Sequence, residues 1–150
     1  MPKETKIKIL DRILWCGEFA GFLAHKFNTL KRFGIEGVES LIPGMKACID
    51  ELSALGGERC VLGMAHRGRI NLLANVVRKP LENIFAEFQG IPPTIEGQNW
   101  VKGSGDVKYH LGTHYTRKYD NGKEMTVEIL ANPSHLECIN PVVMGKVRAY

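Results

Sequence analysis

Cys60-Val61-Leu62-Gly63-Met64 is a short run, apolar throughout and without alternation, and it leads directly into Ala65-His66-Arg67-Gly68-Arg69. A strand buried on both faces of a parallel sheet reads this way. Beyond it, Ile70, Leu73, Ala74 and Val77 recur at three- and four-residue steps, so a helix follows the loop. Strand, loop and helix in that order predict an α/β fold: a partial parallel sheet with flanking helices.

Upstream, Leu10, Ile13, Leu14, Gly17, Ala20 and Gly21 predict a helix to about Phe27 that buries this stripe. After the loop KRFGIEG, a second helix is expected near Ser40. Pro43 falls in its first turn, where a missing N–H costs little. Met45, Cys48, Ile49 and Leu52 form its expected inner face, and Gly56-Gly57 stops it. Downstream, Pro80 ends one helical stripe and Leu81, Ile84, Phe85 and Phe88 begin another. Residues 89–106 are rich in glycine, proline and polar residues and read as a long loop, a place where function often sits. Met125, Val127 and Ile129 alternate with Thr126 and Glu128, giving a strand entered by the turn Asp120-Asn121-Gly122. Asn132-Pro133-Ser134-His135-Leu136-Glu137 ends it. Ser134 and Glu137 have capping-box spacing for a last helix through Val142, Val143 and Val147.

A chain of 150 residues fits one domain with a real core. No apolar run approaches the roughly 18 residues of a membrane span, and the start MPKETKIKIL carries no secretory h-region. Cys16, Cys48, Cys60 and Cys138 form no CxxC pair, so buried reduced thiols are expected and a zinc site is not. The net charge of +4 comes from scattered basic residues without aromatic interleaving, which argues against a nucleic-acid surface and suits small anions. Neither G-x-G-x-x-G after a strand nor G-x-x-x-x-G-K-[ST] occurs, so dinucleotide and P-loop folds find no support.

Three stretches could carry chemistry. In GMAHRGR, residues 63–69, the loop leaves a strand end and enters a helix, the edge where open α/β sheets bind ligands. Arg67 and Arg69 could grip a carboxylate or phosphate, and His66 could move a proton near neutral pH. Alternatively both arginines pair with acidic neighbours and His66 caps the strand. In GSGDVKYHLG, residues 103–112, the glycines permit close backbone approach around Lys108 and His110, though His110 could equally be a surface residue. His25 and His114 read as structural. In NPSHLE, Ser134 offers a hydroxyl at a helix start, whereas a Ser-His dyad is a poor reading because adjacent residues there point apart.

The strings KRFGIEG, LIPGMK, GMAHRGRIN, GSGDVKYH, NPSHLE and PVVMGK, in this order from about Ile9 to Tyr150, resemble one family. It is the thiamine-diphosphate-dependent 2-oxoacid dehydrogenase component of the 2-oxoglutarate dehydrogenase complex, with a 2-oxoadipate-specific relative beside it. The resemblance implies a thiamine-diphosphate-binding fold fragment, with residues 1–30 an N-terminal helical segment and 31–150 the incomplete N-terminal part of the cofactor domain. It implies decarboxylation of 2-oxoglutarate in the tricarboxylic acid cycle, with the cofactor as electron sink and the succinyl group passed to lipoamide. By match to the family's motifs, His66 and His110 would be catalytic and bind substrate. Arg67 would bind the cofactor, Ser134 would contact substrate and cofactor, and the backbone near Leu136 would touch the cofactor's aminopyrimidine ring. The implied cofactors are thiamine diphosphate and Mg2+, and the implied partners are a lipoyl-bearing succinyltransferase and a second copy of the enzyme. The compartment would be the mitochondrial matrix, or the cytoplasm in a bacterium. The family's G-D-G-type diphosphate and magnesium motif is absent, its Mg2+ site being expected beyond residue 150, and IPPTIEGQNW matches nothing in the family pattern. The isolated chain is therefore expected to be inactive, and a non-catalytic truncated or diverged product is the alternative.

Overall fold

A computed structural model describes residues 1–91, 110–132 and 135–150. Its elements are α1 (Lys3–Lys26), α2 (Leu41–Ala54), β1 (Arg59–Leu62), α3 (Arg69–Asn75) and α4 (Leu81–Phe88), then β2 (Thr113–Lys118), β3 (Glu124–Ile129) and α5 (Ile139–Ala149). The three strands form one sheet in the order β1-β3-β2. β1 runs parallel to β3, with Cys60 opposite Val127, and β2 runs antiparallel to β3, with Tyr115 opposite Val127.

The sheet is thus mixed rather than purely parallel. β2 was not expected, because Thr-His-Tyr-Thr-Arg-Lys offers no apolar alternation; its inward positions carry Thr113, Tyr115 and Arg117, which are only half-buried. Pairing with β3 holds it in place. β3 behaves as its alternation predicts: Met125, Val127 and Ile129 are buried at 1% exposure or less. β1, in contrast, is half-buried rather than enclosed on both faces. It is a sheet edge among the described residues, and α5 covers one side of its end. That packing is close: a Cβ on Gly63 would stand 2.3 Å from Val143 Cγ2.

One apolar cluster joins α1 (Cys16, Phe19, Leu23), α2 (Ile42, Ile49), α3 and its exit (Ile70, Leu73, Val77), α4 (Ile84, Phe88) and β3. Two expected helix faces are rotated. α1 buries Cys16, Phe19 and Leu23, leaving Leu10 and Leu14 exposed, because the helix meets the body only along its C-terminal half. α2 buries Ile42, Pro43, Ile49 and Ser53, while Cys48 and Leu52 face outward. Consequently, of the four free cysteines only Cys16 is buried; Cys60 is half-buried, and Cys48 and Cys138 are exposed. α3 follows expectation, with Ile70, Leu73 and Val77 inside. α5 begins later than the capping-box spacing implies: its N-cap is Cys138, and Glu137 sits in the left-handed region at φ 68°. Among the described residues no helix is long and apolar enough to cross a membrane.

Candidate active site

β1 and β3 end, and β2 begins, at one edge of the sheet. The guanidinium of Arg69, the first residue of α3, lies there at 0% exposure. It donates to the carbonyls of Met64 at 2.8 Å, Leu111 at 2.8 Å and Leu130 at 2.6 Å. These are the main-chain oxygens just after β1, just before β2 and just after β3. Each would otherwise be a strand-end acceptor with no ladder partner, and leaving a buried carbonyl unpaired is costly. Burial pulls the Arg69 pKa down to about 10, so the group stays cationic near neutral pH. Among the described residues no carboxylate balances it: three carbonyl dipoles do.

Asn132 repeats the device on a smaller scale. It is buried, its amide nitrogen Nδ2 donates to Met64 O at 2.9 Å, and its backbone N–H donates to His110 O at 2.9 Å. Met64 O therefore accepts from both side chains. Leu130 N–H, donating to Leu62 O at 2.9 Å, continues the parallel ladder to the same point. Segments 64–69, 110–112 and 130–132 are stitched into one frame. Gly112 belongs to it, since a Cβ there would stand 2.7 Å from both Ala131 N and Ile129 O.

His66 rises from this frame. Its ring lies 4.4 Å from the Phe33 ring, tilted by 43°, and its Nδ1 is buried without a hydrogen-bond partner among the described residues. The loop KRFGIEG thereby forms the wall behind the imidazole. Gly68, at φ 71°, caps α3 and donates its N–H to Phe33 O at 2.7 Å, tying wall to loop. A side chain at Gly68 would be strained in this backbone conformation and would press on Ile35 at 3.2 Å.

The sequence-derived site residues fall out as follows. His66 is half-buried, and Arg67 beside it is exposed. His110 is half-buried, and its main chain is fixed by Asn132, so both histidines occupy segments that Arg69 and Asn132 hold together. Ser134 lies outside the described residues, as do Gly103, Gly105 and Lys108 of the second stretch. Leu136 is 70% exposed. Among the described residues neither Arg67 nor Arg69 pairs with an acidic neighbour, and the partners of Arg69 are carbonyls instead. Two residues escaped sequence reasoning. Arg69 reads as an anion grip and is a structural strut; Asn132 had been only the first letter of NPSHLE. The available signal for Arg69 was its place at the head of a strongly apolar helix, where an unshielded cation is out of character.

Chemically, the strand-end edge presents a half-buried imidazole with a spare nitrogen, an adjacent exposed guanidinium, and a second imidazole on a rigidly held segment. The buried Asn132 Oδ1 also lacks a partner among the described residues. A polar ligand could satisfy both atoms. No group of three His, Cys, Asp or Glu suited to a metal ion occurs among the described residues.

No family model matches the chain. Three curated relatives are named "2-oxoglutarate dehydrogenase, mitochondrial". The chain is 56% identical to the protein from Dictyostelium discoideum over 149 residues, 99% of its length. It is 52% identical to that from Saccharomyces cerevisiae over 146 residues, 97% of its length, and 48% identical to that from Caenorhabditis elegans over 150 residues, 99% of its length. In each case the match spans only 14% of the relative. Along almost its entire length, the chain is similar to one segment of proteins named 2-oxoglutarate dehydrogenase.

Proposed function

We propose that the chain is the substrate-side portion of a thiamine-diphosphate-dependent 2-oxoglutarate dehydrogenase that acts in the tricarboxylic acid cycle in the mitochondrial matrix. The observation that carries this reading is the buried Nδ1 of His66 at the strand ends, without a hydrogen-bond partner among the described residues, with the exposed Arg67 next to it in the chain. An imidazole so placed can hold or release a proton on a ligand oxygen, and a nearby cation stabilises negative charge on that oxygen. Thiamine diphosphate, when bound, supplies the electron sink for loss of carbon dioxide from the 2-oxoacid.

In this reading His66 and His110 bind the 2-oxoglutarate and manage its protons, and Arg67 holds the anionic cofactor. Ser134 contacts both, and the backbone near Leu136 touches the cofactor's aminopyrimidine ring. Arg69 and Asn132 position the segments bearing the two histidines. Residues 31–150 belong to the cofactor domain and residues 1–30 form a helical segment leading into it. The described residues fit the substrate end of such a site. Among those residues no His, Cys, Asp or Glu cluster suited to the Mg2+ that accompanies the diphosphate occurs. In the whole enzyme, a second copy completes the dimer and a lipoyl-bearing succinyltransferase takes the acyl group.

The test uses a full-length dehydrogenase carrying this segment. His66→Ala and His110→Ala should each lower turnover by about 10²- to 10⁴-fold, the usual cost of losing a positioned acid–base group. Turnover within a factor of two of the parent for both variants would dismiss the assignment. Comparing 2-oxoglutarate with 2-oxoadipate in the same assay settles the substrate preference.

A further inference from the structure

On the helical side of the molecule, α1, α2 and the exit of α3 enclose a cleft of about 400 Å3. Three cations line it, one from each element: Arg12, Lys46 and Arg78. Asp11, the one carboxylate on the lining, makes no ion pair among the described residues. Arg12 and Lys46 likewise make no hydrogen bond or ion pair among the described residues. Arg78 is held apart from any acid: its guanidinium lies 5.6 Å over the Tyr115 ring, with Nη1 3.4 Å from the Tyr115 hydroxyl. Its backbone is in the left-handed region at φ 56°, unusual for a non-glycine residue. Trp15 stands at the rim, 60% exposed, and Asn75 adds an amide.

Three like charges gathered in one cleft repel one another, and Asp11 on the lining and Asp50 near Lys46 offset that repulsion only in part. The strain is visible at Lys46, whose pKa falls to about 8, first through burial and then through Arg12, Arg78 and Arg117. A concave site with an excess of one sign, here three cations to one carboxylate, concentrates ions of the other. Its volume lies within the range of small-molecule sites. Guanidinium groups favour phosphate because their forked donors match its oxygens, and an ammonium adds a point charge.

We infer that the Arg12–Lys46–Arg78 cleft binds a small oligophosphate. The site is distinct from the strand-end edge: its residues come from the helices, and none belongs to the loops that carry His66 and His110.

Calorimetric titration of the chain with inorganic pyrophosphate at low salt and without added metal tests this, with tryptophan fluorescence as a second signal from Trp15. Saturable one-to-one binding is expected. Lys46→Gln and Arg12→Gln should each weaken it about tenfold or more, since each removes a charge-assisted bond. Lys46→Arg, which keeps the charge, should retain binding, and circular dichroism should show each variant folded. Absence of saturable binding by the folded parent chain overturns the inference. So does an equal loss in Lys3→Gln, which would mean a diffuse charge effect. A loss in Arg67→Gln with normal binding by Lys46→Gln also overturns it, because the anion would then sit at the strand ends.

Discussion

The two ends of the sheet handle charge in opposite ways. At the end where β1 and β3 finish, a buried guanidinium and a buried amide bind main-chain carbonyls, and no carboxylate among the described residues takes part. At the other end, charged side chains meet one another near solvent. Arg117 pairs with Asp50 at 2.7 Å, Lys118 with Glu124 at 3.2 Å, and Lys123 reaches the carbonyls of Ser53 and Ala54. An exposed pair gains little, because water competes for both partners. A buried donor with three acceptors has no such competitor. Rigidity is therefore concentrated where the imidazoles stand, and the opposite end is held by interactions that can be lost cheaply.

Removing the buried cation should have the largest effect. Arg69→Met leaves the Leu111 and Leu130 carbonyls without their side-chain donor and Met64 O with Asn132 alone, and should cost about 3–5 kcal/mol, read as a large drop in the urea midpoint or as failure to fold. A loss below about 1 kcal/mol would mean that water replaces the guanidinium and that the contrast between the two ends is false. Asn132→Ala should cost about 1–3 kcal/mol, because the backbone bond to His110 survives while Met64 O keeps Arg69 alone. Amide exchange at residue 132 should stay slow in that variant.

A pH series sharpens the other side of the comparison. Lys46, one helical turn before Asp50, has its pKa lowered to about 8 from 10.5, chiefly by burial. Between those values the unfolded chain binds the proton more tightly than the folded one. Stability should therefore rise as pH increases from about 8 towards 10.5. Lys46→Gln should flatten that rise when the two urea curves are compared; an unchanged slope removes Lys46 as its source. The smallest effect belongs to the far end: Arg117→Ala should cost less than about 1 kcal/mol, since both partners of its pair are partly exposed.

Much of this was legible in the chain, and the exceptions have physical causes. The strand at β3 and the helix after Arg69 were readable because their apolar periods are driven by burial on one side. The face of α1 was not. Its apolar residues cover more of the circumference than the body contacts, so period alone cannot say which stripe is covered. β2 escaped because its place depends on a partner strand rather than on its own polar sequence. At the candidate site, His66 and His110 stood out as titratable residues in glycine-bearing loops. The guanidinium that joins their segments did not, because its partners are carbonyls, which every residue carries and no sequence pattern marks.

That choice of partners has a consequence for how the region can change. Arg69 grips Met64, Leu111 and Leu130 by oxygens that would remain if those side chains were replaced. The side chains at this strand-end edge can thus change while the main-chain oxygens that Arg69 holds stay available. Variants at positions 64, 111 and 130 offer a route to reshape what the loops recognise without first having to rescue the architecture that displays them.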